Sequence, residues 1–266
     1  MKKISVLGMI LIGLASCQPK AKQPETVVSE IKTEALSAYP EALAKVFTRH
    51  GGVDTWKAMK TLTFEIKKPN GNEKQTIDLL SRNDLVETDL YRIGFDGRDS
   101  WILQEEDSFK GNARFYHNLM FYFYAMPFVL SDSGVIYEKT DDLQYEGKSY
   151  PGFKISFEAN VGDAPDDNYF VYYDAEDHSM QWLGYTVTFG KGEANNNVKF
   201  IRYDDWKEVN GLVVPNSITW YKNEGHHIIE PARTISFENI NFSEERVSAS
   251  IFEKPDAAVY VSEGTE

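Results

Sequence analysis

Residues 198–220 read VKFIRYDDWKEVNGLVVPNSITW. Val198, Phe200 and Arg202 alternate with their neighbours, Asn210-Gly211 interrupts, and Ile218 and Trp220 resume the period of two. Side chains two apart share one face of a strand. Asn-Gly is the dipeptide that accepts positive φ at both central positions of a tight hairpin turn. The stretch predicts two antiparallel strands joined by a short turn.

The same pattern extends outward. Leu62-Phe64-Ile66, Phe153-Ile155-Phe157 and Tyr185-Val187-Phe189 alternate in the same way, and Pro69-Asn70-Gly71, Asp96-Gly97 and Asn223-Glu224-Gly225 punctuate them as turns. Regularly spaced strands with such turns predict one antiparallel meander curled into a sandwich or barrel. Helix is expected only near the start. Pro40 suits a first helical residue, Leu43, Val46 and Phe47 follow at helical spacing, and Gly51-Gly52 stops the run. Asp54 is placed to cap a short second turn holding Trp56 and Met59.

One segment breaks the alternation. Residues 113–130, ARFYHNLMFYFYAMPFVL, are apolar almost all round, with Phe115, Leu119, Tyr122 and Met126 at helical spacing and Pro127 as a break or kink. A helix apolar on every side must be buried on every side. It either plugs the core of a curved sheet or lines and lids a cavity, and the pattern leaves both open.

Four stretches carry a resemblance to a known family. They are GKSYPGFKISF (147–157), VYYD (171–174), YDDWKEVNGLVVP (203–215) and IFEKP (251–255). This series resembles the lipoprotein-carrier superfold of the LolA and LolB type. His50-Gly51-Gly52 with Trp56 resembles the opening of an uncharacterised family of Gram-negative bacterial lipoproteins. The resemblance spans about Pro40 to Pro255, and most of its fixed positions are turns and core. It implies a mainly β chain with helices (α+β): an unclosed antiparallel β-barrel wrapped around an internal apolar helix, preceded by a short N-terminal helix. It also implies an apolar cavity that holds acyl chains, for which apolar area matters more than directional bonds. Trp101, Phe115, Leu119, Phe123, Met126, Trp182, Phe200 and Trp220 are the candidate lining. LolA is a soluble shuttle, so a LolB-like anchored acceptor is the nearer comparison, although no protruding apolar loop is identified.

The anchor is read from the N-terminus. Lys2 and Lys3 precede the apolar run 4–14, Ala15-Ser16 supply small residues, and Cys17 is the single cysteine of the chain. This is the layout of a cleaved export signal, too short to span a bilayer, which needs roughly 20 apolar residues. Leu14-Ala15-Ser16-Cys17 resembles the bacterial lipobox, which implies diacylglyceryl attachment at Cys17 and stable anchoring through two or more chains. The expected organisation is a signal peptide (1–16), a lipidated Cys with a flexible tether (17–38), a single domain (39–258) and a C-terminal tail (259–266). Gln18 rather than Asp follows the Cys, which favours the outer membrane facing the periplasm.

Composition narrows the function. The chain of 266 residues is 42% hydrophobic and 14% aromatic, with a net charge of −13. That acidity disfavours nucleic acid and electrostatic membrane docking. His226-His227 would point to opposite faces of a strand and cannot converge on one metal. His50 is expected to act as a favourable charge at a helix C-terminus, and His117 as a buried core donor. Asp163/Asp166/Asp167, Asp174/Glu176/Asp177 and Asp204/Asp205 lack calcium-loop spacing and read as solvated loop charge. No Gly-x-Ser-x-Gly, His-Glu-x-x-His or phosphate-cradling Gly loop occurs.

The expected function is therefore non-enzymatic, without cofactor or metal. The chain is read as an envelope lipoprotein binding an acyl-bearing lipid or lipoprotein, its partners being the membrane through its anchor and that hydrophobic ligand. A regulatory or scaffold module contacting another envelope protein is the alternative, and an enzyme acting on envelope polymers ranks third.

Overall fold

The computed structural model describes residues 38–69, 71–158, 168–186 and 197–261. The expected signal peptide, Cys17 and the expected tether through residue 37 lie outside the described residues. So do Asn70, Val187, Phe189 and the Asp163/Asp166/Asp167 cluster.

The first helix, α1 (Glu41–Arg49), buries Leu43, Val46 and Phe47, the spacing that its sequence predicts. Pro40 stands one position earlier than expected, as the extended residue before the helix. Gly51 and Gly52 take φ of 107° and 89°, and a Cβ on Gly51 would lie 2.2 Å from the Gly211 carbonyl oxygen. Only glycine meets both demands. The second helix, α2 (Val53–Ala58), starts after Gly52, so Asp54 falls inside its first turn rather than capping it.

Among the described residues thirteen antiparallel strands follow in one sheet. The first meander comprises β1 (Thr61–Ile66), β2 (Glu73–Asp78), β3 (Asp84–Glu87), β4 (Tyr91–Phe95) and β5 (Ser100–Gln104). The second comprises β6 (Val135–Tyr145), β7 (Lys148–Phe157), β8 (Tyr169–Tyr173), β9 (Met180–Tyr185), β10 (Lys199–Val209), β11 (Leu212–Glu224) and β12 (His227–Ser243). Their order is β13-β5-β4-β3-β2-β1-β12-β11-β10-β9-β8-β7-β6, where β13 is Val259–Tyr260. The sheet is unclosed, with β6 and β13 at its edges. Asn210-Gly211 turns β10 into β11 with φ of 52° and 80°, as the dipeptide requires. Val259–Tyr260, assigned to the tail from sequence, instead pair with Ile102 and Trp101 of β5.

Consecutive strands β5 and β6 stand near opposite ends of this order, so the connection 105–134 must cross the sheet. It carries the apolar segment, and here the expectation of a helix broken or kinked only at Pro127 fails, because a further break falls at His117-Asn118. The segment forms α3 (Ala113–Tyr116), α4 (Leu119–Tyr124) and a 3-10 turn (Phe128–Ser131). Phe121, Phe123, Tyr124, Met126 and Phe128 join one core with Phe64 of β1, Ile155 of β7, Leu183 of β9, Ile201 of β10 and Phe237 of β12. The face carrying this core is called inner below. Adjacent strand residues point to opposite faces, and a second cluster (Leu143, Tyr150, Tyr172, Trp182, Phe200, Ile228) occupies the other side of the same strands. Among the described residues no helix is long and apolar enough to cross a membrane.

Candidate functional site

Two buried carboxylates fix the helical connection to the first meander. Asn112 caps α3, its Oδ1 accepting from the Phe115 amide at 3.1 Å. At the far end Asp84 of β3 breaks the run: Oδ2 accepts from the Asn118 amide at 3.2 Å and Oδ1 faces His117 Nδ1 at 3.1 Å. Arg114 Nη1 donates to His117 Nε2 at 2.5 Å, which leaves the ring proton on Nδ1, directed at Asp84. Asn118 adopts the left-handed conformation (φ 59°), which Asn tolerates better than most residues. The Phe95 ring stacks on His117 at 4.7 Å.

Glu73 of β2 is the other tie. Its wholly buried carboxylate accepts from Tyr116 at 2.8 Å, Tyr91 at 2.9 Å and Gln75 at 2.9 Å, and Lys68 completes the set. Burial, then the charge of Glu73, pushes both tyrosine hydroxyls well above their ordinary pKa, so they remain donors.

Between this connection and the sheet lies a cavity of about 720 Å³. Its apolar wall is Trp56 and Met59 from α2 and its end, Leu79 and Leu80 beyond β2, and Phe115, Leu119, Met126, Val129 and Leu130 from the connection. Phe157 and Tyr169 close it from the second meander. Trp56 is stiffened from behind by Phe128, stacked at 5.0 Å and 7°. The polar part of the wall holds Lys57, Arg82, Arg114, His117, Asn118, Asp132 and Ser133. Arg82 Nη2 contacts Asp132 at 2.6 Å, while Arg82 Nη1 has no hydrogen-bond partner in the structure. Burial raises the Asp132 pKa, and Arg82 opposes that shift. A smaller cavity of about 280 Å³ shares Phe115, Leu119, Tyr122 and Tyr169 and adds Phe123, Trp220 and Arg233.

The expected lining residues therefore divide. Phe115, Leu119 and Met126 face the larger cavity, and Phe123 and Trp220 face the smaller one. Trp182 and Phe200 point away, into the outer cluster next to inner-facing Leu183 and Ile201. Trp101 also faces out, packed on Leu85, Phe252 and Ala258, with its Nε1 donating to the Phe252 carbonyl at 2.8 Å. Lys57, Arg82, Arg114 and Asp132 were missed. They are scattered in sequence, and nothing local marks charges that a fold gathers.

The other polar candidates resolve into structure. His50 is buried, not a charged cap. Its Nδ1 lies 2.9 Å from the Val213 carbonyl, its Nε2 accepts from the Met180 amide at 3.0 Å, and burial lowers its pKa to about 4. His226 and His227 are exposed at the β11–β12 turn. Asp174 binds Lys148 and the Glu176 amide, and Asp205 accepts from Asn216 and Ser217, so these carboxylates organise turns and strand ends. Among the described residues no group of three or more His, Cys, Asp or Glu could hold a metal.

The span that builds most of this wall has a family match. Residues 102–230 match a family of unknown function, DUF6503. No curated protein matches the chain. Among solved structures the chain is similar to a LolA superfamily protein from Nitrosomonas europaea, at 10% identity and a TM-score of 0.42, over 73% of this chain and 88% of that one. It is similar to a DUF1329 family protein from Desulfovibrio piger at 10% identity and a TM-score of 0.45, over 81% and 98% of the two chains. A putative outer membrane lipoprotein-sorting protein domain from Vibrio parahaemolyticus gives 8% identity and a TM-score of 0.36, over 73% and 92%. These likenesses carry no argument about fold or ligand.

Proposed function

We propose that this chain is an envelope lipoprotein, anchored through Cys17 to the outer membrane on its periplasmic side, that binds an acyl-bearing lipid or lipoprotein. The observation that carries the reading is the cavity of about 720 Å³ walled by Phe115, Leu119, Met126, Val129 and Leu130. Sites for small ligands are concave, mostly apolar and of roughly 300–1,000 Å³. Apolar surface of this kind holds a hydrocarbon chain without directional bonds and performs no chemistry on it. The connection 113–131 is thus both part of the core and a wall, so the two readings of the apolar segment are compatible.

The test is native mass spectrometry of the purified full chain with lipid extraction, followed by titration with fatty acids of decreasing length. A lipid adduct is expected, and each methylene removed should weaken binding about fourfold, the equivalent of ~0.8 kcal/mol. Leu119→Trp should obstruct the part of the cavity beside Phe115 and Met126 and weaken binding of the longest chains while leaving the melting temperature within a few degrees. An adduct-free mass together with no affinity at any chain length refutes the reading. For the anchor, Cys17→Ala should abolish labelling by palmitate, and unchanged labelling excludes it.

A further inference from the structure

A single layer of side chains separates the two cavities. Phe115, Leu119 and Tyr122 from the helical connection and Tyr169 from the start of β8 line both of them. Within 113–131 the half-buried apolar residues are Phe115, Tyr116, Leu119 and Tyr122, and every residue after Tyr122 is buried. Phe115, Leu119 and Tyr122 keep the spacing of one helical face, and that face is turned on the cavities. The partition is held at its roots. Asn112 caps the Phe115 amide, the Leu119 amide donates to the His117 carbonyl at 2.8 Å, and Tyr169 pairs with Ile155 and Tyr185 in the sheet. The chamber behind it is mainly apolar, walled by Met120, Phe123, Tyr185 and Trp220. Phe123 packs on Tyr185 at 5.0 Å and on Trp220 at 5.6 Å, and Trp220 Nε1 donates to the Tyr185 hydroxyl at 3.0 Å. Hydrocarbon entering such a space leaves water and gains contacts with these rings.

Resting on the acyl-binding reading above, we propose that Phe115 and Leu119 set the acyl-chain length that the protein prefers. One unbranched chain fills the larger cavity as far as this partition and stops there. Each methylene laid along Met126, Val129 and Leu130 is removed from water and adds affinity. A methylene that would pass the partition meets side chains whose backbones are fixed, so a longer chain must turn back or leave its end in water. Shortening Leu119 joins the cavities of about 720 and 280 Å³, and the same chain then runs on toward Trp220.

The test is calorimetric titration of the full chain carrying Cys17→Ala with the saturated fatty acids from octanoate to eicosanoate. Affinity should rise about fourfold per methylene and then level off at one length. Leu119→Ala should carry the rise on for about two more methylenes, which is about fifteenfold tighter binding of the longest acids, and leave the short acids unchanged. Phe115→Leu, which keeps an apolar side chain on α3, should move the plateau the same way and carries the test if Leu119→Ala does not fold. Val129→Ala widens the larger cavity at a residue that does not line the smaller one, and should leave the plateau at its original length. Affinity that climbs through the whole series before any substitution, or a plateau unmoved in both partition variants, overturns the assignment to Phe115 and Leu119 and leaves acyl binding standing. A plateau that Val129→Ala moves equally does the same. Binding at no chain length overturns both.

Discussion

His50 illustrates how one side chain can carry two strands and a helix. As donor to Val213 and acceptor from Met180, the imidazole ties the end of α1 to β11 and β9, and the bond it accepts from Met180 requires the neutral ring. With its folded pKa lowered to about 4, protons prefer the unfolded chain between that value and roughly 6.5. Stability from this group is complete above about pH 6.5 and lost as pH falls toward 4, by about 3 kcal/mol. Urea unfolding at pH 7, 5.5 and 4 should show that loss in the wild type. His50→Gln, weaker at every pH, should lack this share of the slope, and parallel curves would remove His50 from the account. Gly94 makes a second case. It sits opposite Trp101, and a Cβ there would lie 2.2 Å from the indole Cζ2. Trp101 is fully buried and bonded to Phe252, so the ring cannot retreat. Gly94→Ala should cost about 1–3 kcal/mol, read as a lowered urea midpoint with an altered near-ultraviolet tryptophan signal.

At the level of elements, the helical connection depends on Asp84 more than on its own propensity. α3 and α4 have four and six residues, far below the length at which isolated helices persist. Asp84→Ala removes the acceptor for a buried ring and a buried amide, and should destabilise by about 2–4 kcal/mol. Hydrogen exchange should quicken across 113–131 before the rest of the sheet, and uniform exchange would deny the connection this independent weak point. The same elements show what was legible in the sequence. β1, β7 and the β10–β11 hairpin alternate visibly, and Asn-Gly marks its turn. The Glu146-Gly147 turn is hidden because a glutamate with φ of 49° carries no signal. Trp101, Trp182 and Phe200 were misdirected for a related reason. Their strands are buried on both faces (β9 reads Met180, Trp182, Leu183 and Gly184, all buried), so hydrophobicity no longer says which face is inner. Nothing local reports that Asp84 would intrude on the apolar segment from β3.

For the molecule as a whole, an unclosed sheet must protect its edges. β13 contributes only two residues, and β6 carries Glu138, Lys139, Asp141 and Asp142 with a register shift between Thr140 and Leu143. Charges, bulges and short strands are the usual obstacles to edge-to-edge pairing. Replacing Lys139 and Asp141 with Val should leave the melting temperature within about 2 °C but produce concentration-dependent oligomers by light scattering, and a variant that stays monomeric would place the protection elsewhere. The two meanders meet where β1 pairs β12, with Thr61 opposite Ser243 and Ile66 opposite Phe237. Seen in time rather than space, that pairing is an appointment kept late. A chain delivered N-terminus first presents the free flank of β1 long before the far end of β12 arrives. Until then Thr61 to Ile66 form an adhesive border with no mate, and the moment of greatest risk for this protein falls during its own delivery.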